Sequence, residues 1–260
     1  MTFKNFLTEA GEVGEEQEQA IVNLVKKLTN KGSNPISLKV GNKILPDVVS
    51  ISKYGKMTIH GKEPITDLVI ELSSGKKINV SAKGLTSPSL AGGGLKGLKY
   101  LIEPEIKNFL EKAEEYYLDN GFVEGDTDLP EVSALVAEEM EEKIIRSDAS
   151  QGGPIDYIYI GPKKGISYNK ELFNKSRILE LNGIFYTPKQ LAKKYSLYYV
   201  LRRRVGNAPF APGKKDKDGL LIIFAPTARI SVKTGMEKIE GSPRRIVIYP
   251  KQRGVLIDIS

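Results

Sequence analysis

Apolar and polar positions alternate most cleanly over residues 67–83, DLVIELSSGKKINVSAK. Leu68, Ile70 and Leu72 take one face against Asp67, Val69 and Glu71. The polar run Ser73-Ser74-Gly75-Lys76 interrupts, and Ile78 and Val80 then alternate with Asn79 and Ser81. A period of two on both sides of a turn predicts a β-hairpin. Upstream, Ala20, Ile21, Leu24, Val25 and Leu28 recur at helical spacing, which predicts an amphipathic helix over 15–30 ending at Lys31-Gly32, after a polar arm at 1–11. Extended stretches follow at 36–40 and 47–52.

Further along, the glycine-rich stretch 91–97 opens a long helix to about residue 118, and a strongly acidic helix is expected over 130–146. SQGGPIDYIYIG, residues 150–161, reads as a glycine turn leading into a buried strand. LEL (179–181) and IFY (184–186) bracket Asn182-Gly183 and predict a second hairpin. Thr187 caps a helix with Pro188 at its first position. The end of the chain is β-rich, with runs at 220–224, 229–232, 245–249 and 255–259. Helices early and strands late place the chain in the α/β or α+β class. No internal repeat or heptad pattern is present.

Composition narrows the chemistry. The 260 residues are 40% hydrophobic and 27% charged, which suits a folded protein of one large or two small domains. The absence of cysteine excludes a disulfide scaffold, thiolate zinc sites, iron–sulfur clusters and a cysteine nucleophile. One histidine, His60, leaves a serine triad a single candidate base and excludes a multi-histidine metal centre. A metal site must then be built from oxygen ligands, which favours Mg2+ or Mn2+. No apolar run approaches the roughly 20 residues of a membrane helix, and the opening MTFKNFLTEAGEVGEE lacks a signal-peptide pattern. The expected setting is the interior of a cell or a virus particle, not the outside.

The net charge of +7 is unevenly spread. Residues 1–150 hold 18 Lys/Arg and 24 Asp/Glu, and residues 151–260 hold 21 and 8. A balance of +13 at the C-terminal end is the electrostatic footprint of a polyanion partner, most commonly nucleic acid. The candidate phosphate contacts are Arg202, Arg203, Arg204, Lys214, Lys215, Arg229, Arg244 and Arg245, with Tyr195, Tyr198 and Tyr199 beside the arginine triplet. Two rivals are a solvated lysine surface and internal pairing with the acidic stretch at Glu138, Glu139, Glu141 and Glu142. LAGGGLKGL, residues 90–98, lacks the spacing of a phosphate loop and reads as a hinge opening a helix.

The hairpin carries the sharper signal. Asp67 opens its first strand and Lys83 closes its second, so folding sets them side by side at the open end. A carboxylate that holds a divalent ion, next to a lysine that orients water and offsets charge on a phosphate, suits phosphodiester hydrolysis. The run EPITD (63–67), the hairpin and SAK (81–83) resemble the core of the PD-(D/E)xK, restriction-endonuclease-like superfamily. The resemblance covers about residues 15–100. It implies a mixed sheet flanked by helices, a Mg2+- or Mn2+-dependent endonuclease and a DNA substrate, RNA being the alternative. It further implies that Asp67 ligates the metal and that Lys83 is the catalytic lysine. The helix glutamate of the family falls on Glu18, with Glu15 and Glu16 as alternatives. Pro64 lies three residues before the aspartate, and Ser81 stands where the family expects an acid.

Glu71 shares the Asp67 face but lies roughly 13 Å along the strand. Asp156 is a further candidate, or simply begins a buried strand. The resulting domain picture is a nuclease-like core over 1–165 with a helical insertion at about 103–147. A basic β-rich part over 166–260 follows, separate or packed with the core. The opening MTFKNFLTEA is also similar to the N-termini of virion and accessory proteins of large tailed phages. Loss of the acid at 81 gives the competing expectation: a nucleic-acid-binding or virion structural protein that keeps the fold without cutting.

Overall fold

The computed structural model describes residues 3–57, 64–85, 94–121, 130, 132–203, 214–215, 221–222, 228–237 and 257–259. In chain order the elements are α1 (Phe3–Leu28), β1 (Ile36–Val40), β2 (Lys43–Lys53), β3 (Leu68–Leu72), β4 (Lys77–Gly84) and α2 (Gly94–Asp119). Then come β5 (Val132–Leu135), α3 (Glu138–Arg146), a 3-10 turn (Ala149–Gln151), β6 (Tyr157–Gly161), α4 (Lys170–Ser176), β7 (Ile178–Leu179), β8 (Ile184–Tyr186) and α5 (Pro188–Lys194). The last are β9 (Tyr195–Arg203), β10 (Lys214–Lys215), β11 (Leu221–Ile222), β12 (Ala228–Glu237) and β13 (Ile257–Asp258). The class is mixed α/β. Among the described residues no helix is long and apolar enough to cross a membrane.

The chain divides into two compact units. Unit 1 joins Met1–Pro88 to Arg146–Leu191, and unit 2 joins Ser89–Ile145 to Ala192–Ser260. This differs from a core over 1–165 followed by a basic part over 166–260. The acidic stretch does interrupt unit 1 in the sequence, over 89–145, but it folds with the C-terminal strands, because β5 pairs antiparallel with β9, Val132 opposite Leu201 and Ala134 opposite Tyr199.

Unit 1 is built on a seven-stranded mixed sheet in the order β7-β1-β2-β3-β4-β6-β8. Strands β1 to β4 run antiparallel in sequence, and β6 then lies parallel to β4. The sheet is curled: a Cβ at Gly41, in the β1–β2 turn, would sit 3.2 Å from the carbonyl of Phe185 in β8. The predicted hairpin is present as β3 and β4, with Gly75 at φ +80 in the turn. Its apolar side chains Leu68, Ile70, Ile78 and Val80 are buried with Ile21 and Val25, one turn apart on α1. Each such side chain stabilises by about 1.5–3 kcal/mol on burial, which fixes the helix on the sheet. Against the same core, the ring of Tyr159 fills the space where Cβ atoms at Gly161 and Gly183 would lie, 2.3 and 2.4 Å from its nearest atoms.

Three expectations are corrected. α1 starts at Phe3 instead of near residue 15, so its backbone includes the segment read as a polar arm. The acidic helix is confined to Glu138–Arg146, because the apolar VSAL before it is β5. LEL and IFY do not form a hairpin. β7 pairs with β1 and β8 with β6, at opposite ends of the strand order, so long-range partners outcompete the Asn182-Gly183 turn. The cap of α5 is as predicted: Gln190 N donates to Thr187 Oγ1 and Thr187 N to Gln190 Oε1, a reciprocal capping box.

Unit 2 contains a four-stranded sheet, β12-β9-β5-β13, and the short pair β10–β11. Ile106, Phe109, Leu110 and Ala113 of α2 are buried, with the Phe109 and Tyr199 rings 5.4 Å apart. Glu141 of α3 is fully buried and accepts a hydrogen bond from Leu197 N at 2.9 Å. Charge follows this division. Unit 1 holds 19 Lys/Arg and 13 Asp/Glu, a balance of +6; unit 2 holds 20 and 19, a balance of +1.

Candidate functional site

Asp67 stands one residue before β3 and is pinned by its backbone on both sides. Its N–H donates to Val80 O at 3.0 Å, and its carbonyl accepts from Tyr54 N at 2.9 Å. The approach to it is fixed as well. Ile65 N donates to Gln151 O at 2.8 Å, and Thr66 Oγ1 donates to Gly152 O. Gly152 lies in the left-handed region at φ +80, and a Cβ there would come within 2.6 Å of Pro64 Cβ. Glycine is required at 152 on both counts. Residues 64–67 therefore dock on the 3-10 turn that leads into β6.

Leu68 pairs with Val80, which sets Asp67 opposite Ser81 with Lys83 two residues further on the same face. The side chains meet there. Asp67 Oδ2 accepts from Ser81 Oγ at 3.0 Å, from Ala82 N at 2.6 Å and from Lys83 Nζ at 3.1 Å. Both members of the ion pair are mostly buried, with side-chain exposures of 13% for Asp67 and 19% for Lys83. Ser81, itself buried, is thus a donor to the carboxylate. An acid at 81 would put a second negative charge directly opposite Asp67, an arrangement that needs a cation between the two.

Glu18 comes to this place from α1. Its Oε2 lies 3.5 Å from Lys53 Nζ at the end of β2. Burial is the main cause that raises its pKa above the ordinary carboxylate value of 4.5, and the negative charge of Asp67 adds to it, while Lys53 and Lys83 act in the opposite sense. Glu18, Asp67 and Lys83 are therefore electrostatic neighbours, as the sequence led one to expect. The other acids have other roles. Glu16 pairs with Lys164 at 3.3 Å. Asp156 accepts from Asn79 N at 2.8 Å, at the start of β6 and away from Lys83, and so begins a strand. Glu71 accepts from Ser50 Oγ at 3.3 Å. The side chain of Glu15 lies outside the described residues, as does His60.

Two participants were not visible in the sequence. Gln17, 2% exposed, donates through Nε2 to Lys83 O at 3.3 Å, Gly161 O at 3.1 Å and Pro162 O at 3.0 Å. One amide thereby ties α1 to the ends of both parallel strands and sets the height of the adjacent Glu18. Lys53, the partner of Glu18, is the other. All these contacts join positions far apart in the chain. Only the helical phase of Gln17, four residues before the buried Ile21, hinted that it faces inward.

Among the described residues no group of three or more histidine, aspartate or glutamate side chains is placed to hold a metal ion. Glu18 and Asp67 are the two carboxylates here that could serve Mg2+ in its usual protein setting. There the ion keeps several waters and takes one or two carboxylates together with substrate phosphate.

Of the residues read as a basic grip, Arg202 and Arg203 lie on β9, Lys214 and Lys215 on β10, and Arg229 on β12. Arg202 and Arg229 occupy facing register positions. Arg204, Arg244 and Arg245 lie outside the described residues, as do residues 90–93 of the glycine-rich stretch. Comparison with known proteins yields no relative: no family model, no curated protein and no solved structure matches the chain.

Proposed function

We propose that the protein is a divalent-metal-dependent nuclease of restriction-endonuclease-like type that hydrolyses phosphodiester bonds in DNA. The observation that carries this reading is the convergence of Asp67, Glu18 and Lys83 at one end of a mixed sheet flanked by helices. Asp67 and Glu18 would hold Mg2+ or Mn2+, and the bound ion would supply Lewis-acid stabilisation of charge on the phosphate. Lys83, held by Asp67, would orient the attacking water and offset that charge. Ser81 and Ala82 N–H keep the Asp67 carboxylate in one orientation, so that it is preorganised. Gln17 sets the height of Glu18 relative to Lys83.

One observation favours a second reading, a nucleic-acid-binding or virion structural protein that no longer cuts. The Ser81 hydroxyl is committed to Asp67 where an active relative would carry an acid. Plasmid nicking with Mg2+ and Mn2+ decides between them. The nuclease reading expects cleavage by wild type and its loss, by at least about a hundredfold, in Asp67→Ala. It expects Ser81→Glu to require less metal for half-maximal activity. No cleavage with either ion establishes the binding reading.

A further inference from the structure

Each carboxylate of the candidate site already has an ammonium beside it. Asp67 has Lys83 at 3.1 Å and Glu18 has Lys53 at 3.5 Å, so the charges of these four groups sum to zero. A divalent ion brought to the two carboxylates meets two ammoniums that oppose it, and binds better once one of them leaves. The two pairs differ in how firmly they are held. Asp67 Oδ2 also accepts from Ser81 Oγ and Ala82 N, and both members of its pair are mostly buried. The Lys53–Glu18 contact is longer than an ordinary N–H···O bond, and the Lys53 side chain is 36% exposed. Among the described residues Glu18 is the one partner of its ammonium. A hydrated ammonium on a flexible stem is the member of these pairs that can let go. Lys53 also stands on the strand next to Asp67. It is the last residue of β2 and pairs with Leu68, and Tyr54 N donates to the Asp67 carbonyl at 2.9 Å. The charges of Asp67 and Lys83 both act on the carboxylate that Lys53 holds.

We propose that Lys53 is the exchangeable counter-ion of the metal site: it holds Glu18 until a divalent cation displaces it, and the freed ammonium then takes a backbone phosphate of the nucleic-acid strand. The proposal rests on the nuclease reading for its choice of cation and strand. It makes metal and nucleic acid bind with positive coupling, each favouring the other to the same degree. Without a strand the site stays closed on its own lysine, so loading with metal is tied to the arrival of phosphate.

The test uses the full chain and two binding measurements. In calorimetric titration with Mn2+ and no nucleic acid, Lys53→Met and Lys53→Gln should each bind the ion roughly three- to tenfold more tightly than wild type. The gain should vanish in a Glu18→Gln background. Lys164→Met, which removes the same charge from the neighbouring Glu16 pair, should leave Mn2+ affinity unchanged. The second measurement is the anisotropy of a short fluorescein-labelled duplex, in EDTA and in Mg2+ at matched ionic strength. Lys53→Met should change duplex affinity less than about twofold in EDTA, where Lys53 is engaged with Glu18, and weaken it roughly three- to tenfold in Mg2+. A purely structural Lys53–Glu18 pair moves neither quantity. Mn2+ affinity no higher in the Lys53 variants, a gain that persists in Glu18→Gln or appears equally in Lys164→Met, or equal losses of duplex affinity in EDTA and Mg2+ each overturn the proposal. So does a wild type that takes up no Mn2+ or binds no duplex. The nuclease reading fails separately. Wild type that does not cut but shows the exchange at Lys53 sinks that reading and leaves the counter-ion role standing. Asp67-dependent cleavage with Lys53→Met binding Mn2+ like wild type does the reverse.

Discussion

The two halves of the sequence and the two units of the fold distribute the same charges differently. Along the chain the balance runs from −6 to +13, which assigns the polyanion grip to the C-terminal part. In the fold the acidic stretch 89–145 joins that part, and unit 2 carries only +1. Unit 1 carries +6, and at one sheet end Lys53, Lys83 and Lys164 pair with its carboxylates. Charge in sequence becomes a footprint only after strand pairing decides which segments share a unit. Here β5 pairs with β9, so the stretch that carries the acids and the strand that carries Arg202 and Arg203 belong to one unit.

The largest expected effect tests this contrast directly. Replacing Lys53, Lys163 and Lys164 together by Gln should reduce duplex affinity by about tenfold or more and flatten the salt slope. Replacing Arg202, Arg203 and Arg204 by Gln should cost less than about threefold. A larger loss in the arginine variant would return the grip to unit 2.

Next in size is a packing effect in unit 1. Gly161→Ala drives a methyl into the Tyr159 ring and should destabilise by about 1–3 kcal/mol, read as a lower denaturant midpoint and faster amide exchange in β4 and β6. Tyr159→Leu in the same background should restore part of it, with β9 of unit 2 as the reference that stays unchanged. If Tyr159→Leu restores nothing, the ring is not what the methyl meets.

The smallest effect concerns Glu18. Its folded-state pKa is raised, so the folded protein holds that proton more tightly than the unfolded chain does. Its contribution to stability therefore grows as pH falls through the raised pKa, and at neutral pH the ionised group is at a disadvantage. Glu18→Gln should unfold at the same or a slightly higher denaturant concentration at pH 7 while losing metal-dependent cleavage. In wild type, cleavage should decline on acidification at a pH above that of an ordinary carboxylate. A Glu18→Gln protein that is clearly less stable at pH 7 would mark Glu18 as a structural partner of Lys53.

What the sequence made legible is local. The hairpin could be read because a period of two on either side of a turn fixes both register and face. Asp67 and Lys83 followed from that register, and Glu18 from the phase of a helix whose Ile21 and Val25 are buried. The partners of β7 and β8 could not be read, because two- and three-residue strands carry no period and their pairing is settled by distant strands. Nor could β5 be found inside a stretch dominated by acids, where four apolar-rich residues look like part of a helix. Gln17 acts through backbone carbonyls, groups that no side-chain motif records.

The amide of Gln17 also imposes an order on biosynthesis. Its acceptors in β4 and just past β6 lie 66, 144 and 145 residues downstream. On the ribosome, the helix that bears Glu18 leaves the exit tunnel first, and the hairpin with Asp67 and Lys83 follows. The bond to Lys83 O can form once the hairpin is out, but the clasp closes in full only after the intervening segment of unit 2 has been translated. The nascent chain thus carries the chemical groups of its site long before it can hold them in working alignment.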